Sequence, residues 1–323
     1  MRAVVIARPG GPEVLEVREV PTPEPSRGEV RVRVRAAGVN RADLLQRMGL
    51  YPAPPGVPAD IPGLELAGEV DALGPDVTEL ALGDRVMGLV AGGAYAEHVV
   101  LHERMLARVP AGLGFAQAAA IPEAFVTAYD AMVVQGGLAA GETALIHAVG
   151  SGVGTAAVQI ARAIGAVSVG TARSEQKLER ARELGMTHGV LVKDGKFADA
   201  VLAATGGVDV VLELVGGAYL AEDLACALPC ARVALVGLMG GPHAELDLAA
   251  LLRKRVRVFG TVLRARPLEE KIAAALVLRR LATMFAAGRL APVLERALPL
   301  DAAAEAHVAM AKKQTFGKVV LEP

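Results

Sequence analysis

The sequence predicts an α/β protein of two domains, a mostly-β domain and a doubly wound parallel-sheet domain. Three observations predict it. The first is the stretch Thr143-Ala-Leu-Ile-His-Ala-Val-Gly-Ser-Gly-Val-Gly-Thr-Ala-Ala-Val-Gln-Ile-Ala161, an apolar strand that runs into a glycine turn and then an Ala-rich helix. That order lets a backbone approach the pyrophosphate of a dinucleotide and aims free helix N–H groups at its charge. The second is a change of texture near residue 124, from strand-like runs and proline loops to alternating strand and helix patterns. The third is length, since 323 residues are more than one ordinary core holds.

In the first domain, Glu29-Val-Arg-Val-Arg-Val-Arg35 alternates strictly, so its valines face a core and its arginines face water or charge partners. Further strands are expected over Asp84–Val90 and Tyr95–Leu101, with a glycine turn at Gly92-Gly93 between them. Pro21–Pro25 and Tyr51–Gly56 read as rigid loops that cannot enter a sheet interior. From about residue 124, strands are expected at 144–147, 167–171, 190–192, 208–214, 231–236 and 256–260, with helices between them. That alternation predicts a parallel sheet with helices on both faces. A long helix over Leu268–Ala287 follows, and Gly317–Leu321 returns to the first domain. The domains are therefore expected at 1–123, completed by 264–323, and at 124–263.

Composition excludes several functions. Lys plus Arg number 34 against 35 Asp plus Glu, so a net charge of −1 gives no electrostatic case for nucleic acid or an acidic membrane surface. The apolar region Ala116–Val134 is broken by Pro122, Glu123 and Asp130, too early to span a bilayer. The amino terminus reaches Pro9-Gly10-Gly11 too soon for a secretion signal. Cys226 and Cys230, at a helix-to-strand passage, are expected as buried free thiols, with a disulfide between them as the alternative. A soluble cytoplasmic protein is the expectation.

The nucleotide pattern is specific in its departures. Gly150-Ser151-Gly152-Val153-Gly154 is followed by Thr155, giving G-x-G-x-G in place of G-x-G-x-x-G. The next strand carries no acid at its end, where a carboxylate would take the ribose hydroxyls of NAD. Arg173, Ser174 and Lys177 lie there instead, and a guanidinium, a hydroxyl and an ammonium suit a 2′-phosphate. The alternative is that Ser174 only caps the helix Glu175–Leu184 and the two cations are solvated. NADPH is favoured over NADH.

The order of motifs resembles the medium-chain dehydrogenase/reductase superfamily over essentially the whole chain. It is similar, within it, to the zinc-independent quinone oxidoreductases of the zeta-crystallin type, nearest to the branch that includes the tumour-suppressor-inducible enzyme of animals. The residues that carry this are Asn40–Pro52, Gly63-Leu-Glu-Leu-Ala-Gly68, Gly83-Asp-Arg-Val86, Ala118–Tyr129, the glycine turn, and Gly237-Leu-Met-Gly-Gly241. The resemblance implies a GroES-like catalytic domain joined to a Rossmann domain. It implies hydride transfer from NADPH to a quinone without metal, with an enoyl or alkenal double-bond reductase as the related alternative. A non-catalytic RNA-binding or crystallin-like role is the alternative of another class.

The superfamily's zinc enzymes hold catalytic metal through Cys and His, and at the matching positions this chain has Asn40 and Leu64. With two cysteines and six histidines it cannot assemble a cysteine-based tetrahedral site, and no metal is expected. His98 and His102 read as surface or half-buried strand residues. Tyr51 is the residue expected to donate a hydrogen bond to the acceptor as charge develops, with loop packing as its bland alternative. Asn40 either touches substrate or braces the turn before the helix Ala42–Met48. By resemblance Thr127 approaches the nicotinamide ribose, or is simply a helix N-terminal hydroxyl. In the same way Gly216 is the turn after the fourth parallel strand, beneath the cofactor, and the loops Gly237–Gly241 (with Leu238 and Met239) and Val262, Leu263 and Arg264 line the nicotinamide pocket. Val192 stands where relatives often have a tyrosine on the adenosine phosphate. Arg255–Gly260 is expected as an unpaired edge strand, and the resemblance implies a homodimer formed through it.

Overall fold

A computed structural model describes residues 1–323. The chain forms two compact units, Met1–Val126 with Leu263–Pro323, and Thr127–Val262. The first begins with β1 (Arg2–Ile6), β2 (Leu15–Glu19) and β3 (Glu29–Gly38), then helix α1 (Arg41–Arg47). It continues through β4 (Glu65–Leu73), β5 (Arg85–Leu89), β6 (His98–His102), β7 (Leu106–Arg108) and helices α2 (Phe115–Ala119) and α3 (Pro122–Tyr129). The second holds β8 (Thr143–Ile146), α4 (Gly152–Ile164), β9 (Val167–Ala172), α5 (Glu175–Glu183), β10 (His188–Leu191) and α6 (Ala198–Thr205). Next come β11 (Val208–Glu213), α7 (Tyr219–Cys226), β12 (Ala227–Leu235), α8 (Leu248–Lys254) and β13 (Arg257–Gly260). The first unit is then completed by α9 (Leu268–Ala286), β14 (Leu294–Pro299), α10 (Ala303–Ala311) and β15 (Lys318–Glu322).

Alternation decides the first unit. Val30, Val32 and Val34 of β3 are buried, while Arg33 and Arg35 are exposed. The sheet runs β14-β15-β3-β4-β5-β7, with β6 also paired to β3, and β15 lies between β14 and β3 as the apolar Val319–Leu321 run requires. β1 and β2 form a small antiparallel ribbon that the sequence reading did not anticipate. The second unit is a six-stranded sheet of order β10-β9-β8-β11-β12-β13, every pair parallel. The order reverses between β8 and β11, the switch point of a doubly wound sheet.

Three local expectations need correction. Arg255 adopts a left-handed conformation (φ 53°) as the C-cap of α8, so the edge strand starts at Arg257. Cys230 is exposed inside β12 at φ 65°, because the strand begins at Ala227 rather than after the cysteines; only Cys226 is buried. Both thiols are free. Ser174 takes the N-cap position of α5, but its side chain makes no capping bond. No helix is long and apolar enough to cross a membrane.

Candidate functional site

Most of the residues expected around a dinucleotide come together along one edge of the second unit, while Leu263 and Arg264 belong to the first. Gly150–Gly154 follows β8, Arg173 and Ser174 follow β9, Gly216 follows β11, Gly237–Met239 follows β12, and Val262 follows β13. All these strands are parallel, so all five segments leave the carboxyl edge of the sheet, beside the switch point where such folds bind nucleotides. The glycine turn is built tightly. Ser151 caps α4, its hydroxyl accepting from the Gly154 N–H at 3.0 Å. The N–H groups of Gly152 and Val153 have no acceptor within the chain and are left for an anion at a thirteen-residue helix. A Cβ on Gly154 would lie 2.6 Å from the Ala148 carbonyl oxygen, so only glycine lets the helix start so close to the turn. Gly216, at φ +71°, likewise passes within reach of the Gly237 and Gly241 carbonyls.

Leu238, Met239 and Val262 are exposed apolar side chains at this edge, which suits a planar ring laid over them. Arg173 is exposed and forms no ion pair within the chain; Lys177 is half-buried and has a partner within it. Thr127 is buried and is the sixth residue of α3, so the helix N-terminal alternative does not hold for it. Val192 is buried in the core of the unit, where it offers nothing to a phosphate.

Beneath the same edge lies a buried cluster that sequence reading missed. His147, the residue after β8, has Nε2 2.7 Å from Asp223 Oδ1 and Nδ1 2.8 Å from the Thr171 hydroxyl. Glu213, the last residue of β11, receives the backbone N–H groups of Val215 and Gly216 on one oxygen. Its other oxygen is 3.6 Å from His147 Nε2. Burial pushes both carboxyls up and the imidazole down, and Glu213 Oε2 and Asp223 Oδ2 are buried without a hydrogen-bond partner. These three are metal-ligand types within 4.8 Å of one another, yet the short Nε2 to Oδ1 contact is a hydrogen bond already made. The cluster ties the glycine turn to the Gly216 turn. An acid, Glu213, closing the apolar stretch Val210–Leu212 was the signal for it.

In the first unit, Tyr51 lies in the loop after α1, half-buried, with the Arg264 guanidinium 5.1 Å from its ring centroid. Burial raises its hydroxyl above 10, and the hydroxyl makes no hydrogen bond within the chain. Arg264 is itself buried, donating to the carbonyls of Ala91 (2.6 Å) and Tyr51 (3.1 Å) and to Gln46 Oε1 (2.7 Å). Its side chain therefore fixes the Tyr51 loop. Asn40 is engaged at both ends of its amide: Nδ2 donates to Glu65 Oε1 at 2.8 Å, and Oδ1 accepts from Lys318 at 2.6 Å. The bracing alternative is the one these bonds support.

Glu65 is the hub of that network. Lys318 Nζ is 2.6 Å from its Oε1, and its Oε2 accepts the Glu123 backbone N–H at 2.8 Å. Alongside it, buried Asp43 accepts from the Asn40 N–H (2.7 Å) and the Tyr95 hydroxyl (3.0 Å), and burial lifts its carboxyl to about 6. The Glu123 carboxyl is half-buried, takes no bond from the chain and is pushed up to about 8, chiefly by burial. His98 and His102 sit half-buried on β6, His98 against Asp71 at 3.1 Å.

The positions that would carry catalytic zinc are thus an engaged amide and a buried leucine, Leu64. Residues 26–111 match the family described as the alcohol dehydrogenase GroES-like domain, and residues 152–279 the family described as zinc-binding dehydrogenase. A quinone oxidoreductase of Pseudomonas aeruginosa is 36% identical over all of this chain and 99% of its own. The structure of the Escherichia coli quinone oxidoreductase complexed with NADPH is 29% identical with a TM-score of 0.90, covering all of both chains. That of an NAD-dependent alcohol dehydrogenase is 34% identical with a TM-score of 0.87, again over all of both chains. A GroES-like unit and a parallel-sheet unit, matched end to end, place the chain in the medium-chain dehydrogenase/reductase superfamily, as a member of the zinc-independent quinone oxidoreductase type.

Proposed function

We propose that this oxidoreductase reduces quinones with NADPH and without metal. The observation that carries the reading is Tyr51, a half-buried ring held by Arg264 with its hydroxyl free, in a unit with no zinc-ligand type at positions 40 and 64. When bound, NADPH supplies the hydride. Gly152 and Val153 would hold its pyrophosphate through their N–H groups, Arg173 its 2′-phosphate, and Leu238, Met239 and Val262 the face of its nicotinamide. Tyr51 offers an O–H to the acceptor oxygen where charge develops and a ring surface for a planar acceptor. An electrophilic acceptor needs no Lewis acid, which suits this donor set.

Two results test this. Tyr51→Phe should lower turnover on a quinone by up to about 2.7–4 kcal/mol of barrier, and less in a site open to water. NADPH affinity should hold. Steady-state kinetics beside cofactor titration separates that from loop packing, under which the phenylalanine variant would be fully active.

Cofactor preference rests on the end of β9. NADPH should bind more tightly than NADH. Arg173→Ala removes a charge-assisted contact of roughly 1.5–3 kcal/mol, so NADPH should weaken about tenfold or more while NADH hardly changes. Equal affinity of the unmutated protein for both cofactors, measured by fluorescence titration, would refute the NADPH reading.

A further inference from the structure

Glu123 is a carboxyl group without a task in the fold. Its backbone is fixed, as the second residue of α3 with its N–H on Glu65, but its side chain bonds to nothing in the chain. It lines a cavity of about 20 Å³ together with Leu64, Leu89, Leu263, Arg264 and Lys271. That volume holds about one water, and two cations and a carboxyl supply polar partners for it within an otherwise apolar wall. Arg264 is shared, since it lines this cavity and also lies against the Tyr51 ring. The acceptor proposed to meet Tyr51 would therefore stand near a carboxyl whose cavity has room for a water.

We propose that the Glu123 carboxyl is the proton donor to the reduced acceptor, resupplied by water in the cavity it lines. This rests on the quinone reading above. A quinone that has received hydride holds two more electrons and one hydrogen, and its second oxygen is an anion. The O–H bond of Glu123 breaks, a new O–H bond forms on that oxygen, and hydroquinone leaves. The carboxylate then regains a proton from water, so the cycle consumes one hydride and one proton. Tyr51 is the poorer source, because burial holds its proton more tightly than usual and leaves it lending only a hydrogen bond.

The charges around Glu123 agree with that role. Burial is the largest cause that raises it; Glu65 on β4 and Asp43 on α1 add to the rise, and Lys318 on β15 and Arg264 oppose it. Lys271 on α9 shares the cavity. The balance, about 8, keeps the carboxyl protonated through neutral pH, and the proton is lost as pH rises past that value.

The experiment compares the unmutated protein with Glu123→Gln and Glu123→Asp from mildly acidic to alkaline pH, with NADPH and a quinone. Turnover of the unmutated enzyme is expected to fall as pH rises through about 8. Glu123→Gln should lose roughly tenfold or more at neutral pH, below the usual range because water can substitute, and its profile should lack that fall. Glu123→Asp should keep a falling limb. Infrared difference spectra give a readout independent of turnover: the unmutated protein should show a carboxylic-acid C=O band at neutral pH that Glu123→Gln lacks. A Gln variant with unchanged turnover and pH profile, or an ionised Glu123 at neutral pH, overturns the proposal. If enones are reduced and quinones are not, the quinone reading fails, and the same two readouts on the enone decide Glu123. No turnover with either acceptor class overturns both.

Discussion

Glu65→Leu is expected to destabilise the first unit by about 3–5 kcal/mol, the usual cost of leaving a buried partner charge uncompensated. Lys318 is 5% exposed at its side chain and Glu65 not at all, so neither can turn to water. Loss of the carboxylate also strands the Asn40 amide and the Glu123 N–H, each of which donates to Glu65. Lys318→Met should cost a comparable amount. The double variant should cost less than the sum by roughly 0.5–3 kcal/mol, because the pair is then removed together. Urea denaturation of the three variants and the parent checks this. Additive losses would mean that the two groups are stabilised separately, Lys318 by the Val39 carbonyl and Asn40.

The variants also bear on Asn40 and on how far the site could be read from sequence. Periodicity located β3, where valines alternate with arginines, and short stretches rich in apolar residues located the parallel strands. The glycine turn was legible too, since Gly154 answers to a backbone atom 2.6 Å from its would-be Cβ. Pairings between distant segments left no such trace. Asn40 meets Glu65 and Lys318, 25 and 278 residues away, and nothing local in the sequence marks an amide as engaged. Arg264 looked like part of a cofactor loop, yet it reaches back 173 residues to Ala91. Glu123 was visible as a letter in Ala118–Tyr129, but its isolation is a property of the packed structure. β2 was missed because Leu15–Glu19 is charged at positions 16, 18 and 19 and mostly exposed, so no core enforces its pattern; β1, although buried, among the strands pairs only with it.

Gly154→Ala is expected to weaken NADPH binding by roughly 5–150-fold. The new Cβ would fall 2.6 Å from the Ala148 oxygen, 2.7 Å from Val149 Cα and 2.8 Å from Val149 C. All three are backbone atoms, so no side chain can swing aside; the turn and the first turn of α4 must separate. Overpacking of this kind costs about 1–3 kcal/mol, which converts to the affinity range above if the strain is released in the binding geometry. Ala148 already sits at φ 46°, an uncommon conformation for a residue with a side chain, so the turn has little slack on that side. Displacement would also pull the Gly154 N–H from the Ser151 hydroxyl and turn the N–H groups of Gly152 and Val153 away from a bound phosphate. Gly260→Ala is the control, since a Cβ there meets nothing within 4 Å and its φ is ordinary. Fluorescence titration of NADPH, with circular dichroism to show that the fold persists, decides the matter. Unchanged affinity in Gly154→Ala would mean that the turn relaxes freely and that its glycine serves packing alone.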